Sequence, residues 1–234
     1  LRGSSKPSSE TGEKKMRMLR RLPKILKFIP GKAQDLRAWF LVMQYWLGGT
    51  DENIEEMLRF LISRYSHIDS WRGVKAEPPR EYPNVGVYHP NLKGRISEDL
   101  TDIPEVKKPI ATIGLLLMRS YVLSGDTAHY DKVIEGFEAL NVKIIPAFAG
   151  GLDGRPAIEK YFIGADGPLI DVLVSLTGFS LVGGPAYNDT NAAVKTLSNL
   201  NVPYISAHPL EFQTLPQWEV SSTGLGPIET TMLV

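Results

Sequence analysis

The sequence predicts an α/β fold in which a parallel-sheet, Rossmann-like domain is preceded by a helical hairpin. Three observations lead to this prediction. Four short apolar segments alternate with helical patterns in the second half of the chain, two amphipathic helical patterns lie in the first half, and a glycine-rich loop joins the third apolar segment to a helix. Apolar strands that alternate with helices are typical of a buried parallel sheet.

Composition is that of a globular protein and excludes several functional classes. The chain has 234 residues, of which 43% are hydrophobic and 22% charged. This length is enough for one substantial domain, or for one domain with an appended helical piece. Its 26 basic and 26 acidic residues give no net charge, so the charge does not indicate nucleic acid as a partner. Without cysteine there are no disulfides, thiolate catalysis or Cys-ligated zinc. No apolar run reaches roughly 18–20 residues, so we expect no transmembrane segment.

The N-terminal part predicts a disordered start and then helices. Residues 1–13 are rich in Ser, Gly and charge, and we expect them to be disordered or tag-like. A helical segment follows over residues 14–66. Its first stretch, residues 14–32, is basic and amphipathic, which fits either a helix on a membrane surface or partner, or one packed on the rest of the protein.

The helical hairpin is predicted at about residues 33–65. Gly48-Gly49 ends the first helix, and Thr50 caps the second, with acidic residues in its first turn where they suit the helix dipole. Two helices with so short a connection pack as an antiparallel pair. The apolar face of the first helix consists of Leu36, Trp39, Phe40, Met43, Trp46 and Leu47.

A proline-rich linker is expected next, over residues 67–110, and the parallel α/β domain after it, over residues 111–234. Within the linker, Val85–Tyr88 has the pattern of a short strand. The chain does not begin with Met, and residues 230–234 read as an apolar strand that is cut. We therefore expect an internal piece of a longer protein, with the α/β domain incomplete at its C-terminus.

The elements of the α/β domain follow from alternating patterns. The strands are predicted at residues 112–118, 142–148, 169–176 and 202–207. The helices between and after them are predicted at about residues 127–140, 156–162 and 188–200.

The loop within Val172–Asp189 matches none of three known glycine motifs. A Walker-type loop needs a Lys after its last glycine, whereas Pro185 follows Gly183-Gly184. Gly178 and Gly183 are too far apart for a dinucleotide fingerprint. A nucleophile elbow needs glycine where Val182 stands. Two interpretations stay open: a tight strand-to-helix connection without a ligand, or a loop that lines a binding cleft.

The topology also predicts which residues meet. Right-handed crossovers bring the C-terminal ends of all four strands to one edge, where open α/β sheets bind their ligands. The substrate-binding or cleft-lining residues predicted there are Arg119, Asp153, Thr177, Gly178, His208 and Glu211.

These side chains have both a functional and a plainer interpretation. Arg119 suits a carboxylate or phosphate, and His208 with Glu211 suits a metal or proton transfer. Equally, Arg119 could pair with Asp126 or Asp153, and His208 could be a hydrogen-bond partner within its own loop. We assign no residue as catalytic and none as a metal ligand.

Several segments resemble a known family. They are Tyr82–Pro90 (YPNVGVYHP), Leu115–Ser120, Gly125–Tyr130, Phe148–Asp153, Val174–Ala186 (VSLTGFSLVGGPA) and Pro209–Thr214 (PLEFQT). Together they resemble the large porphyrin-binding subunits of magnesium chelatases, a family that includes the large subunit of cobaltochelatase. The resemblance covers about residues 14–234, the N-terminal region of a far longer subunit, and Lys93–Leu100 is more similar to the bacteriochlorophyll branch.

The resemblance implies an activity for the parent protein. The family's large subunit binds protoporphyrin IX and inserts Mg²⁺, while two smaller ATPase-type subunits hydrolyse ATP, in (bacterio)chlorophyll biosynthesis. It implies a cytoplasmic location in a bacterium and a chloroplast location in a plant. The residues that metallate the porphyrin lie beyond Val234 in the family, so we expect this chain alone to bind no cofactor and to be inactive.

Three alternatives remain at this point. The chain could come from a cobaltochelatase, which metallates a corrin precursor in cobalamin biosynthesis. It could be a stand-alone small-molecule-binding α/β module. It could also be a protein-interaction scaffold that uses the basic helix and the helical pair.

Overall fold

The computed structural model describes residues 22–184, 187–208, 210 and 212–233, and the chain divides into two units. The first comprises Leu1–Tyr82 with Leu123–Gly125, and the second comprises Pro83–Val122 with Asp126–Val234. The predicted disordered residues 1–13 and the basic stretch up to residue 21 lie outside the described residues.

The first unit is built on the predicted helical hairpin. Helix α1 spans Ala33–Gly48 and α2 spans Asp51–Tyr65, with a 3₁₀ turn at Asp69–Trp71. Gly49 adopts the left-handed conformation, with φ of 64°, and ends α1, while the Thr50 side chain accepts from the backbone N–H of Asn53 and starts α2. The predicted cap residues therefore form the connection.

The chain after α2 is fastened to the hairpin through buried polar groups. The Asn53 amide pairs with the backbone of Arg80 in both directions, at 2.8 and 2.9 Å. The Tyr45 hydroxyl donates to the Glu77 carbonyl. Burial, followed by the nearby Glu56 and Glu77 carboxylates, raises the pKa of Tyr45 to about 12. These contacts order residues 77–82 without any regular secondary structure.

The second unit contains a six-stranded sheet with helices on both faces. Its strands are β1 (Val85–Tyr88), β2 (Ile96–Ser97), β3 (Thr112–Met118), β4 (Lys143–Ala149), β7 (Val172–Ser175) and β10 (Tyr204–Ser206). Two small hairpins pair β5 (Ile163–Gly164) with β6 (Gly167–Pro168) and β8 (Gly183–Gly184) with β9 (Tyr187–Asn188). Helix α3 (Arg119–Ser124) begins in this unit, and its C-terminal end is assigned to the first. The other helices are α4 (Ala128–Ala139), α5 (Arg155–Tyr161), α6 (Thr190–Leu200), α7 (Leu215–Glu219) and α8 (Pro227–Leu233), with a 3₁₀ turn at Leu100–Asp102.

The four predicted strands form the parallel part of this sheet. The strand order is β10-β7-β3-β4-β1-β2, and the pairs β10–β7, β7–β3 and β3–β4 are parallel. The prediction of a parallel α/β domain that follows a helical hairpin in the sequence is confirmed. Burial explains the parallel pairing, because the central positions of β3 and β4 are buried on both faces, as parallel strands require.

Two apolar clusters cover the two faces. On one face, Leu116 and Leu173 pack with Tyr161 of α5 and Leu200 of α6. On the other face, α4 contributes a second set of buried side chains. The main buried members of that set are Leu115, Leu117, Tyr130, Ile134 and Phe148. Neighbouring leucines of β3 thus face opposite clusters, as the alternation of a strand dictates.

The stretch predicted as a linker provides the other two strands. β1 pairs antiparallel with β4, and β2 pairs antiparallel with β1. Gly86 allows this close pairing, because a Cβ there would lie 2.6 Å from Phe148 Cζ and 2.9 Å from the Ser97 carbonyl oxygen. Residues 85–97 therefore belong to the sheet rather than to a connection.

A polar network holds β1 and β2 against α4. Asp131 accepts hydrogen bonds from the Tyr88 hydroxyl and from the Arg95 guanidinium, each at 2.5 Å. Arg95 has a φ of 62°, uncommon for a residue with a side chain, and its guanidinium lies 5.2 Å from the Tyr88 ring centroid. Burial, and then the bond to Asp131, raises the pKa of Tyr88 to about 12.

The neighbouring histidine adds a second attachment to α4. His89 is fully buried, and its Nδ1 accepts from the backbone N–H of Asn91. Its Nε2 lies 3.0 Å from Glu138 Oε1, so the ring presents its N–H to that carboxylate.

The C-terminal segment differs from the sequence prediction. Residues 230–234 were expected in a strand, but Pro227–Leu233 forms helix α8. The Thr230 and Thr231 hydroxyls donate to the carbonyls four residues earlier, which satisfies these β-branched residues within a helix. The buried Glu229 accepts from the backbone N–H of Phe212 and ties α8 to the preceding loop.

Candidate functional site

The C-terminal ends of β3, β4 and β7 meet around a small cavity. Its lining includes Met118, Ala149, Asp153, Ser175 and Thr177, so the structure brings the predicted Asp153 and Thr177 to one place. The cavity volume is about 30 Å³. Roughly 10–15 Å³ of such space accommodates one water molecule, so the cavity has room for water.

The Asp153 carboxylate is engaged by its own loop. Arg155 binds both carboxylate oxygens, from its Nε and its terminal nitrogen, and the Arg155 backbone N–H donates to Oδ1 at 3.0 Å. The side-chain hydrogen bond to Asp153 raises the pKa of Arg155 above its usual value. This bidentate pair gives Asp153 the role of fixing the start of α5.

The glycine-rich loop is anchored to the Asp153 loop by its backbone. Gly154 N–H donates to the Leu181 carbonyl at 2.9 Å, and Gly183 N–H donates to the Leu152 carbonyl at 2.7 Å. The two loops thus close over the ends of the strands.

Hydroxyl groups line the β7 side of the cavity. Ser175 is 1% exposed, and its Oγ lies 3.0 Å from Thr177 Oγ1. Thr177 Oγ1 also accepts from the Phe179 N–H at 3.4 Å. Gly178, between them, has a φ of 71°, which is why a glycine stands at this turn. The group is a tight turn with its polar atoms paired.

The start of α6 is closed off by its own cap. The Asp189 side chain accepts from the Ala192 backbone N–H at 3.0 Å. The β8–β9 hairpin separates β7 from this helix, although the sequence suggested a loop leading directly into the helix. A carboxylate therefore occupies the position where an anionic ligand would meet the helix dipole.

The remaining predicted residues lie apart from the cavity lining. Arg119 donates from Nε to the Pro83 carbonyl at 2.8 Å. His208 is exposed, and its Nε2 lies 3.4 Å from Ser206 Oγ. Glu211 lies outside the described residues. Among the residues that the structure describes, no group of three or more His, Asp or Glu side chains could hold a metal ion.

Sequence reasoning missed two residues near the cavity, Arg155 and Ser175, and also the backbone partner of Arg119. Arg155 had a recognisable signal, because an Asp two residues before a helical residue often bonds to it. Ser175 had a weaker one, as a polar residue inside an otherwise apolar strand. The Pro83 carbonyl had none, since it lies 36 residues before Arg119.

We expect Arg119→Ala to lower the free energy of unfolding by about 1.5 kcal/mol, because a charged hydrogen bond to a backbone carbonyl is lost. Urea denaturation measures this. The control is Arg72→Ala, since Arg72 and its partner Asp69 are 83% and 80% exposed and their pair contributes little. If Arg119→Ala leaves stability within about 0.5 kcal/mol but weakens porphyrin binding by the whole subunit, Arg119 is a ligand contact instead.

The fold places this chain among proteins with an open, mostly parallel α/β sheet. A solved structure shares it: the catalytic subunit of cobaltochelatase from Mycobacterium tuberculosis aligns with a TM-score of 0.55 and 21% identity, over 82% of this chain and 15% of that one. At this identity the likeness concerns the fold alone. No helix among the described residues is long and apolar enough to cross a membrane.

Sequence comparisons define the family. Residues 43–234 match the family model described as CobN/Magnesium Chelatase, and residues 1–40 match a domain of unknown function. The magnesium-chelatase H subunit of Cereibacter sphaeroides is 62% identical over the whole chain, which covers 20% of that protein. The chloroplastic magnesium-chelatase protein ChlH of Oryza sativa subsp. japonica is 37% identical over 98% of this chain and 18% of its own length.

The chain belongs to the CobN/magnesium chelatase family. The resemblance found in the sequence is thereby confirmed. The chain spans about a fifth of the length of the curated relatives that it matches.

Proposed function

We propose that this chain forms part of the large subunit of a magnesium chelatase, which binds protoporphyrin IX and inserts Mg²⁺ during (bacterio)chlorophyll biosynthesis. The observation that carries the proposal is the 62% identity to the magnesium-chelatase protein of Cereibacter sphaeroides over the whole chain. The similarity to the solved cobaltochelatase subunit is far lower, at 21% identity. This difference favours magnesium over cobalt as the inserted ion.

The proposal extends to the branch and to the partners. Identity is 61–62% to the subunits of Rhodobacter capsulatus and Cereibacter sphaeroides but 37% to the rice subunit, which favours the bacteriochlorophyll branch and a bacterial cytoplasm. Mg²⁺ is a substrate in this reaction, and ATP is hydrolysed by two smaller partner subunits. Gly183-Gly184 is followed by Pro185, so the loop has no lysine to reach a phosphate and does not fit ATP.

The role proposed for this segment is to support the subunit rather than to carry the metal-insertion site. The cavity at the strand ends, of about 30 Å³, is too small to enclose a tetrapyrrole. The Asp153 carboxylate, which could ligate Mg²⁺, is bound on both oxygens by Arg155. Mg²⁺ requires several oxygen ligands in near-octahedral geometry, and the porphyrin must be enclosed while the ion sheds water. Thr177, Gly178 and His208 remain proposed contacts to porphyrin or to partner subunits, whereas Arg119 is assigned to the Pro83 carbonyl.

A segment exchange tests this proposal. This chain replaces the matching fifth of the Cereibacter sphaeroides subunit, and formation of magnesium protoporphyrin is followed by fluorescence with ATP and the two smaller subunits. We expect the exchanged subunit to insert Mg²⁺. The matched comparison is the corresponding rice segment, which is 37% identical to this chain, and the subunit that carries it should insert Mg²⁺ more slowly. A folded, assembled exchange subunit that inserts no Mg²⁺ would contradict the proposal.

The isolated chain provides the complementary result. We expect it to insert no Mg²⁺ when ATP and the two smaller subunits are added, and to show no ATPase activity when it is assayed without them. Measurable chelation by this chain would place the metal-insertion site within residues 1–234 and overturn the supporting role.

A further inference from the structure

The strand β10 leaves one side of the parallel sheet open. Among the strands that the structure describes, its single neighbour is β7. Leu173 N–H donates to the Pro203 carbonyl, and Ala207 N–H donates to the Ser175 carbonyl, each at 2.9 Å. Because hydrogen-bonding direction alternates along a strand, the peptide groups of Tyr204 and Ser206 point away from β7.

The side chains of β10 are also uncovered on one face. Ile205 is 52% exposed, whereas the interior positions of β3, β4 and β7 are buried. Ile205 is in register with Val174, which belongs to the cluster on the α4 face. Helix α4 packs against β4, three strands away from β10 in the sheet order. A parallel strand with an exposed isoleucine at its centre is unusual, because such sheets are covered on both faces.

The strand order indicates what belongs there. Along the chain, β3, β4, β7 and β10 are the first to fourth parallel strands, and their spatial order is fourth-third-first-second. In doubly wound sheets of this order the fifth strand lies beside the fourth, and the helix after it packs on the face of the first helix. That face is the one on which Ile205 is exposed.

The segment that follows β10 also exposes apolar side chains. Phe212, Leu215 and Val220, which follow β10 in the sequence, are 60%, 63% and 85% exposed. Exposed apolar surface of this kind marks a contact with another part of a protein or with a partner. Since the chain spans about a fifth of its relatives' length, four fifths of such a polypeptide is available to supply that contact.

We propose that the open edge of β10 is the docking site for a fifth parallel strand of the whole subunit, and that the helix following this strand covers Ile205. Backbone N–H and C=O groups of Tyr204 and Ser206 pair with the added strand. The occupant is a strand–helix unit of the same polypeptide rather than a second copy, because parallel pairing with a covering helix continues the winding of the sheet, whereas two copies related by a twofold axis would pair these edges antiparallel.

Hydrogen exchange on the whole subunit that carries this segment tests the proposal without any variant. We expect the amides of Tyr204 and Ser206 to exchange at least about tenfold more slowly in the whole subunit than in the 234-residue chain, because pairing protects them. Equal, rapid exchange in both would overturn the proposal.

A substitution gives an independent readout. Ile205→Asp should lower the melting temperature of the whole subunit by about 2–4 °C more than that of the 234-residue chain, because the exposed half of the side chain is covered only in the former. The matched control is Leu140→Asp, at a residue that is 66% exposed and lies at the end of α4; it should lower both melting temperatures by the same small amount, because an acidic residue there opposes the helix dipole. An unchanged melting temperature of the whole subunit with Ile205→Asp would contradict the proposal. A dimer of the 234-residue chain that dissociates into monomers with Ile205→Asp would also contradict it, because the edge would then bind a second copy.

This inference rests on the proposed function only for the existence of a longer polypeptide. A whole subunit with protected amides at Tyr204 and Ser206 but no chelatase activity would refute the proposed function and leave the docking site intact.

Discussion

Replacing Asp131 by alanine should lower the free energy of unfolding of the chain by about 3 kcal/mol. Asp131 accepts from both the Tyr88 hydroxyl and the Arg95 guanidinium. Tyr88 is fully buried, so its hydroxyl loses its Asp131 partner at a place where water cannot readily replace it. The ion pair adds a smaller share, because the Arg95 side chain is 41% exposed. Chemical denaturation followed by circular dichroism measures the change.

Two variants separate these contributions. Asp131→Asn keeps an acceptor for the Tyr88 hydroxyl and should cost about 1 kcal/mol. Adding Tyr88→Phe to Asp131→Ala removes the hydroxyl that has lost its carboxylate acceptor, so the double variant should be less destabilised than the sum of the single ones. The control is Lys132→Ala on the same helix, because Lys132 and Glu135 are 79% and 54% exposed and their pair should contribute little. Strict additivity of the two substitutions would contradict the network.

The parallel part of the fold could be predicted because its signal is local. Each of β3, β4 and β7 is a short apolar run that must be buried on both faces, and a helical pattern follows each one. Handedness of the crossovers then fixes which strand ends meet. The helical hairpin could also be predicted locally, because Gly49 is a residue that ends helices and Thr50 is one that caps the start of a helix.

The antiparallel strands could not be predicted with the same certainty because their pairing is distant in sequence. Val85 pairs with Ala149, and the flanking prolines resemble those of an ordinary connection. What makes β1 a strand is its fit beside Phe148 and the bonds of Tyr88, Arg95 and His89 to α4. None of these partners is visible within a local window.

The candidate site shows the same division between backbone and side chains. Topology alone predicted that Asp153 and Thr177 would share one edge, and they do. Topology did not predict that Arg155 would donate hydrogen bonds to the Asp153 carboxylate, or that the Pro83 carbonyl would accept the hydrogen bond from Arg119. Side-chain partners depend on rotamers and on loops, which periodicity does not determine.

Gly86→Ala should destabilise the chain by about 2–3 kcal/mol, although it adds a single methyl group. The new Cβ would lie 2.6 Å from Phe148 Cζ and 2.9 Å from the Ser97 carbonyl oxygen. The ring is packed in a buried cluster, and the carbonyl belongs to the backbone of β2, so neither can move without disturbing the sheet. We expect the loss to appear as a lower denaturation midpoint.

The matched control is the same substitution at Gly136. This residue lies on the exposed side of α4, and a Cβ there would meet nothing within 4 Å. Alanine is a better helix former than glycine by about 1 kcal/mol, so Gly136→Ala should stabilise the chain. Changes of opposite sign in the free energy of unfolding for the two Gly→Ala variants would show that β1 packs tightly between β2 and Phe148. A neutral Gly86→Ala variant would instead mean that this strand is loosely attached and that residues 85–97 act as the connection that their prolines suggested.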